Sequence, residues 1–196
     1  MDDNLLFNEA RPIRADALQN RAHLLETARR LFNEQGVEGV TMSAVAQAAG
    51  VGKGTLYRHF ENKTELCFAL LDEDQRTLQE RSFQRFRTTR EPLENLRWFL
   101  IEVAEFVERN RAFLCAGDTM QEKPTAALAH PAHQWWRQTI YHLLSQLRPA
   151  GDVSYMADVL FVMLDVHTIY FQRNILGYTR ERLHDGLIST LLKLIA

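Results

Sequence analysis

The sequence lacks the patterns that mark β-strands. It contains no Asn-Gly hairpin turn and no sustained alternation of β-branched with polar residues. Apolar residues instead recur every three or four positions along most of the chain, which is the period of an amphipathic helix. We therefore expect an all-α protein of about nine helices, with a small N-terminal domain followed by a larger helical bundle.

Cysteines and long apolar runs are also scarce. The two cysteines, Cys67 and Cys115, lie far apart and show no metal-ligand spacing, which favours free thiols in the cytoplasm. No apolar run approaches the roughly 20 residues that a membrane-spanning helix needs. The first ten residues include Asp2, Asp3 and Glu9 without a basic start, so we expect no signal peptide. These absences predict a cytoplasmic protein with no membrane partner.

Motifs of enzymatic chemistry are missing as well. The chain has no nucleophile elbow, phosphate-binding loop, His-Glu metal motif or paired-carboxylate signature. His130 and His133 lie three residues apart, but Pro131 separates them and no third metal ligand is near in sequence. Asp165 and His167 are two apart on a predicted helix and therefore do not face each other. We expect a protein that is not an enzyme and needs no cofactor.

Positive charge is concentrated near one end of the chain. The formal net charge is −2, yet residues 11–63 carry eight Arg or Lys against five Asp or Glu, a local net charge of +3. The ten residues before this stretch sum to −3 and the residues after it sum to −2. A basic N-terminal segment followed by an acidic remainder is typical of a protein whose N-terminal domain binds a polyanion while the rest stays in solution.

A three-helix domain is predicted over residues 15–62, after a polar arm at 1–14 that we expect to be mobile. Gly36 ends the first helix. The apolar stripe of this helix consists of Leu18, Ala22, Leu25, Ala28 and Phe32. Residues 41–60 then have the layout of a helix-turn-helix, in which Thr41 is the N-cap and Gly50 supplies the turn.

The second helix of this pair, at about residues 52–58, is too polar for a helix that only packs. Leu56 and Phe60 are predicted to point into the core. The polar residues that remain on the helix are Lys53, Thr55, Tyr57, Arg58 and His59. Such a helix can enter the major groove of DNA with its N-terminal end.

These residues closely resemble the N-terminal domain of tetracycline-repressor-type (TetR) regulators. The resemblance rests on VGKGTLYRHF at 51–60 and NKTEL at 62–66, and ARRLF at 28–32 resembles the end of that family's first helix. It covers roughly residues 18–68. It implies a dimeric transcriptional repressor that binds a palindromic operator in double-stranded DNA and is released by a small apolar or amphipathic molecule.

The resemblance also implies which residues contact DNA. Tyr57, His59 and Lys63 fall where the family contacts phosphate, while Lys53 and Thr55 lie at the end that approaches base edges. Position 52 is glycine where many relatives carry serine, so one hydroxyl contact is missing. Arg58 is equally consistent with a solvated surface residue. The full set of expected contacts is Thr41, Ser43, Lys53, Gly54, Thr55, Tyr57, Arg58, His59 and Lys63.

Residues 63–196 are predicted to form a ligand-binding and dimerisation domain. Helices begin after Asn62, at Pro92 and Pro124, and after Asp152 and Thr179, by their capping and proline signals. The helices at 153–176 and 180–195 are apolar over much of their circumference. In the family such a pair forms a four-helix dimer interface; the alternative is a monomer that buries both faces.

An effector pocket is predicted between the helices at 92–110, 124–147 and 153–176. Its candidate lining residues are Phe99, Val103, Phe106, Phe113, Met120, Trp135, Tyr141, Met163, His167 and Tyr170. The same residues at helical spacing are also what a plain core contains. Three alternatives stay open: an activator, a regulator that senses a metal or thiol oxidation, and an all-α ligand-binding protein that no longer binds DNA.

Overall fold

A computed structural model of the chain describes the backbone of residues 10–118 and 131–196 and the side chains of residues 18–114 and 131–196. This described part contains nine α-helices, one π-helical turn and no strand. The all-α prediction is confirmed. The chain divides into two compact units, Met1–Leu70 and Leu71–Ala196. The predicted domain limits after residues 14 and 62 stay a prediction.

The first unit consists of three helices and the beginning of a fourth. They are α1 (Ala10–Gly39), α2 (Met42–Ala48), α3 (Lys53–His59) and the N-terminal part of α4 (Lys63–Thr88). At Gly36 the backbone leaves the helical region with φ 75° and ψ 157°, a conformation that glycine alone adopts readily. The regular part of α1 therefore ends there, as predicted.

The predicted N-terminal arm differs from the structure in its last residues. Residues 1–9 lie outside the described residues, but residues 10–14 belong to α1 rather than to a mobile arm. Pro12 is compatible with this position because the first backbone N–H groups of a helix have no partner within the helix.

The core of the first unit is assembled from all four of its helices. Its fully buried residues include Leu24, Leu25, Ala28, Val45, Ala46, Leu56, Phe60, Leu66 and Leu70. The predicted stripe on α1 is confirmed at Leu25, Ala28 and Phe32 but is wrong at Leu18 and Ala22, which are exposed. The reason is that burial along α1 begins only at Leu24, so the preceding turns carry their apolar side chains beyond this core.

The second unit is a helical bundle built around one central helix. Besides the rest of α4 it contains α5 (Pro92–Asp118), α6 (Pro131–Leu147), α7 (Val153–Val162), α8 (Val166–Tyr170) with the π-helical turn Phe171–Ile175, and α9 (Arg180–Leu194). α5 is buried at almost every turn from Leu96 to Val107 and contacts α6, α8 and α9. On α6 the residues Trp136, Ile140 and Leu144 belong to the same core.

Most of the predicted helix starts are confirmed by capping contacts. Asp152 accepts a hydrogen bond from Tyr155 N at 3.1 Å, and Thr179 Oγ1 accepts one from Arg182 N at 3.2 Å. Asn62 Oδ1 accepts from Glu65 N at 2.9 Å at the start of α4. The start predicted at Pro124 lies outside the described residues. Each cap satisfies a backbone donor that the helix itself leaves unpaired.

The predicted continuous helix over residues 153–176 is wrong. α7 ends at Val162, and Asp165 Oδ1 accepts hydrogen bonds from His167 N and Thr168 N, both at 3.0 Å, to cap α8. The short acidic side chain competes for backbone N–H groups and restarts the helix. No single helix in the described ranges is long and apolar enough to cross a membrane, and the pair Val153–Val162 and Val166–Ile175 meets that test only jointly, across a 50° bend.

Candidate DNA interface and ligand cavity

The first unit contains two short helices joined by a tight glycine turn. Thr41 Oγ1 accepts a hydrogen bond from Ala44 N at 3.1 Å and fixes the start of α2. Gly50 has φ 67°, the left-handed conformation that the turn requires, and Val51 N donates to Ala46 O at 3.0 Å. The turn is therefore closed by backbone bonds, and α3 starts at a fixed angle to α2. This is the predicted helix-turn-helix.

α3 buries one side chain and presents polar groups on its remaining surface. Leu56 is fully buried, whereas Lys53, Gly54 and Arg58 are exposed and the Tyr57 side chain keeps 50% of its area in contact with solvent. Thr55 and His59 are half-buried. A phenol left in water on a short helix contributes little to folding, so its surface is available for a partner.

Arg58 folds back along its own helix. Its Nε donates to Gly54 O at 3.3 Å and its Nη2 donates to Thr55 Oγ1 at 3.1 Å. The guanidinium therefore lies beside two of the residues that are expected to approach base edges. Gly52, the N-cap of α3, makes no side-chain capping bond because it has no hydroxyl group.

Lys63 has a structural partner that the sequence did not indicate. Its Nζ donates to Val37 O at 2.9 Å and to Val40 O at 3.4 Å. These carbonyls follow the break at Gly36, so the ammonium ties the start of α4 to the corner between α1 and α2. An ammonium has three donors, and two are used here. A phosphate contact by Lys63 stays a prediction, as do the other expected DNA contacts, including the half-buried Ser43 and the exposed Thr41 at the start of α2.

Two further contacts of the first unit join residues far apart in sequence. The Arg21 guanidinium lies 5.3 Å from the centroid of the Phe60 ring, and His23 Nε2 lies 3.2 Å from Ala49 O. They connect α1 to the end of α3 and to the turn after α2. Because both pairs are separated by more than 25 residues, local sequence patterns could not indicate them.

The predicted effector residues are dispersed in the second unit. Phe99, Val103, Phe106 and Phe113 are buried in the core beside other apolar side chains. Tyr141, His167 and Tyr170 are exposed, Met163 is half-buried, and Met120 lies outside the described residues. Of the candidates in the described part of the chain, Trp135 alone lines the cavity described next. An effector site made of these ten residues stays a prediction.

A cavity of about 600 Å³ lies between the C-terminal end of α4, the beginning of α5 and the middle of α6. Its lining residues are Phe83, Phe86, Thr89, Arg90, Asn95, Trp135, Gln138, Thr139, His142, Leu143 and Gln146. This volume is in the range of small-molecule sites in proteins. The cavity differs from the predicted pocket because the end of α4 forms part of its wall, whereas the pocket was predicted between α5, α6 and the later helices. Phe83 and Phe86, three residues apart on α4, were an available signal.

One wall of the cavity is aromatic. The ring centroids of Phe83 and Trp135 are 6.4 Å apart, and Trp135 meets the buried Phe99 edge-on at 5.4 Å. Phe86 packs against the same Phe99 at 6.2 Å. The position of the Trp135 ring is thus fixed by the core behind it, and the wall is preformed.

Apart from Leu143 the remaining lining is polar; it includes the positively charged Arg90 and no carboxylate. Arg90 is exposed at the rim, and no ion pair involves it in the described part of the chain. Asn95 is 4% exposed; its Nδ2 donates to Thr89 O at 2.8 Å, but its Oδ1 is buried without a hydrogen-bond partner among the described residues. A buried acceptor left unpaired costs about 1–3 kcal/mol.

Metal and thiol sensing receive no support from the described residues. No group of three His, Cys, Asp or Glu side chains there could hold a metal ion. Cys67 is fully buried, and burial raises the pKa of its thiol to about 11. The thiol is therefore protonated at neutral pH, whereas oxidation-sensing cysteines react as thiolates. His130 and the Cys115 side chain lie outside the described part.

Comparison with known proteins identifies the first unit. Residues 24–70 match the family described as bacterial regulatory proteins, tetR family. An HTH-type transcriptional regulator of Staphylococcus aureus (strain bovine RF122) is 46% identical over 65 residues, which span 33% of this chain and 35% of that relative. The chain thus matches about a third of the length of this curated relative.

Solved structures are similar over most of the chain. A transcriptional regulator of the TetR/AcrR family from Thermobifida fusca has a TM-score of 0.68 and 17% identity over 89% of this chain and 97% of that one. AibR in complex with isovaleryl coenzyme A and operator DNA has a TM-score of 0.59 and 24% identity over 87% of this chain and 96% of that one. Residues 24–70 therefore have the sequence of the tetR family of bacterial regulatory proteins, and most of the chain has a fold similar to that of these solved structures.

Proposed function

We propose that the protein is a dimeric transcriptional repressor that binds a near-palindromic operator and is released from it by a small apolar or amphipathic molecule. The observation that carries the proposal is α3, a short helix fixed by a closed turn whose Lys53, Tyr57 and Arg58 side chains face solvent. Such a helix matches the recognition helix of a helix-turn-helix protein. Because its partner is DNA, the protein acts in the cytoplasm.

Two observations support the remaining parts of this proposal. AibR, which has a similar fold, binds both isovaleryl coenzyme A and operator DNA. The helices from Val153 onward carry large apolar side chains that are exposed in the single chain, and a second copy would bury them. These side chains are Tyr155, Val162, Tyr170, Phe171, Ile175, Leu176 and Leu192.

The mechanism that follows is a shift of population between two arrangements of the dimer. In one arrangement the two copies of α3 lie about 34 Å apart, one helical turn of DNA, and both enter the major groove. An effector that binds the other arrangement more tightly moves the dimer away from this spacing and weakens DNA binding by the ratio of its two affinities.

The test is selection of bound sequences from random duplex DNA by the purified protein, repeated at two salt concentrations. A dimeric operator binder enriches a palindrome, and its affinity falls steeply with salt because Lys and Arg displace counterions from phosphates. Mutation of one half-site should then lower the operator affinity by much more than a factor of two. If no sequence is enriched by protein freed of bound small molecules, the DNA-binding proposal is wrong and the protein is a ligand-binding relative.

A further inference from the structure

We propose that Arg58 is the residue with which each subunit reads a guanine in its half of the operator. The inference rests on the proposed function, because it assumes that α3 enters the major groove of DNA. Three observations carry it: the position of Arg58 on α3, the two contacts that hold its guanidinium, and the open space beside Gly54.

Arg58 lies on the face of α3 that points away from the core. Leu56 is the buried residue of this helix and fixes the side that packs against the rest of the first unit. Gly54 and Arg58 are each about 160° from Leu56 around the helix axis, one on either side of the outward direction. Because Gly54 has no side chain, Arg58 alone occupies the centre of the outward face. The other polar residues lie on the flanks, within about 100° of Leu56, and are Lys53, Thr55, Tyr57 and His59.

The guanidinium of Arg58 is held by its own helix in a way that leaves one end free. Nε donates to Gly54 O at 3.3 Å and Nη2 donates to Thr55 Oγ1 at 3.1 Å. The side chain therefore extends toward the N-terminal end of α3, which is the end that a recognition helix inserts into the groove. Among the described residues, no further hydrogen bond and no ion pair involves Arg58. Three of its five N–H groups, on Nη1 and Nη2, are thus left for a partner.

A guanidinium presented in this way fits guanine. The major-groove edge of guanine offers two acceptors, O6 and N7, to the paired N–H groups of an arginine. Adenine has a donor beside its N7, thymine has one acceptor and a methyl group, and cytosine offers a donor, so none of them satisfies both N–H groups. Because two bonds within the helix already restrict the side chain of Arg58, little further ordering is needed when it binds.

Gly54 supports the same orientation of α3 independently. Glycine is among the least favourable residues inside a helix. The fold does not require it here, since its φ lies outside the left-handed region and a methyl group added to it would contact no atom of another described helix within 4 Å. A glycine that the fold does not use allows the backbone to come close to a partner. We therefore expect the face formed by Gly54 and Arg58 to lie against the bases.

The experiment is selection from random duplex DNA with the full-length wild type and with Arg58→Ala and Lys53→Met. We expect the wild-type palindrome to contain a guanine at one position of each half-site, and Arg58→Ala to lose this preference while it keeps the others. Lys53→Met is the matched control, because it also removes one positive charge from α3 but lies on a flank. It should weaken binding to all duplexes alike and keep the guanine. A guanine preference that is lost in Lys53→Met and persists in Arg58→Ala overturns the proposal.

Removal of N7 from this guanine tests the contact at the level of one atom. The analogue 7-deazaguanine still pairs with cytosine but lacks the N7 acceptor. Placed in one half-site, it should lower the affinity of the wild type about tenfold and that of Arg58→Ala by less than about twofold. The ratio of the two affinities within one variant does not depend on the folded fraction, so poor folding cannot imitate this result. Equal losses in both proteins would show that Arg58 does not contact N7.

Gly54→Ala tests the close approach of the backbone separately from the arginine. The melting temperature should stay the same or rise, because alanine favours a helix, whereas operator affinity should fall about tenfold. Operator binding as tight as that of the wild type would place another face of α3 in the groove and overturn the proposal. A wild type that enriches no sequence contradicts the proposed function as well. A palindrome with identical base preferences in the wild type and Arg58→Ala contradicts this proposal alone.

Discussion

At the scale of single residues, Lys53 and Lys63 carry the same charge ten positions apart but have different surroundings. Lys53 is exposed at the start of α3, and its ammonium makes no contact in the described part of the chain. Lys63 donates to two backbone carbonyls beside the break in α1. Lys53 is therefore available for a partner, whereas Lys63 already stabilises the fold.

The pair Lys53→Met and Lys63→Met separates these two uses of a lysine. Lys63→Met should lower the free energy of unfolding by about 1–2 kcal/mol because two partly buried carbonyls lose a charged donor. Lys53→Met should leave it unchanged but weaken operator binding and reduce the salt slope by about one. Urea denaturation and DNA titrations at several salt concentrations measure both quantities. A stable Lys63→Met protein would contradict the structural role.

Tyr57 provides a test of the DNA interface that removes one oxygen atom. Its side chain is half exposed and Tyr57→Phe leaves the packing of Leu56 untouched, so the melting temperature should not change. Loss of a phosphate hydrogen bond should reduce operator affinity about tenfold at fixed salt. Tyr141→Phe, an exposed tyrosine of α6, is the control. If Tyr57→Phe binds as tightly as the control, the hydroxyl does not contact DNA.

At the scale of elements, α2 is seven residues long and depends on its cap. A helix this short is not stable by propensity alone. Thr41 Oγ1 satisfies Ala44 N, while Val45 and Ala46 attach the helix to the core. The hydroxyl expected to meet phosphate is thus already engaged in holding the helix, although an oxygen that accepts one bond can still donate its own hydrogen.

Thr41→Val and Thr41→Ser test this double use of the hydroxyl. Thr41→Val keeps the shape but removes the oxygen, and it should cost about 1 kcal/mol of unfolding free energy together with part of the operator affinity. Thr41→Ser retains the oxygen and should behave as the wild type in both assays. Chemical denaturation and operator titration provide the readouts. Full stability of Thr41→Val would show that the cap bond is dispensable.

Elements with local signals could be predicted from the sequence, and contacts between distant residues could not. The caps at Thr41, Asp152 and Thr179 and the proline at the start of α5 act within four residues of themselves. The break before α8 was missed because Asp165 was interpreted inside an apolar run instead of as a cap. The cavity was missed because it depends on three helices that meet in space, and fully buried aromatics such as Phe99 look the same in sequence as residues that line a site.

At the scale of the whole molecule, the exposed apolar side chains of the C-terminal helices require an explanation. Phe171, Ile175 and Leu176 follow one another around the end of α8, and Ile175 is 63% exposed. Neighbouring apolar groups on a surface mark a protein interface more often than isolated ones do. In the same C-terminal part of the chain, Ile169 and Leu183 are buried in the core. The second unit thus has its own buried core but leaves an apolar face exposed to solvent.

Ile175→Asp should convert the proposed dimer into a monomer. A carboxylate buried at a symmetric interface appears twice and is not compensated, and each such burial costs several kcal/mol of association free energy. Light scattering should show the molar mass falling from twice to once 22.7 kDa, and operator affinity should fall with it. Leu18→Asp, at another exposed apolar residue, should remain dimeric. A dimeric Ile175→Asp protein would place the interface elsewhere.

The π-helical turn Phe171–Ile175 carries part of this exposed face, and its Leu176 N donates to Phe171 O five residues back. A π turn holds one residue more than an α turn does. The turn therefore accommodates one extra residue without interrupting the helix with a loop. Deleting one residue, for example Asn174, would allow ordinary α geometry and leave the side chains after the turn on the faces they now occupy. The same deletion in a regular helix would rotate the following side chains by about 100° about the helix axis. The turn is thus a place where the chain tolerates a single-codon deletion without redirecting its exposed apolar face.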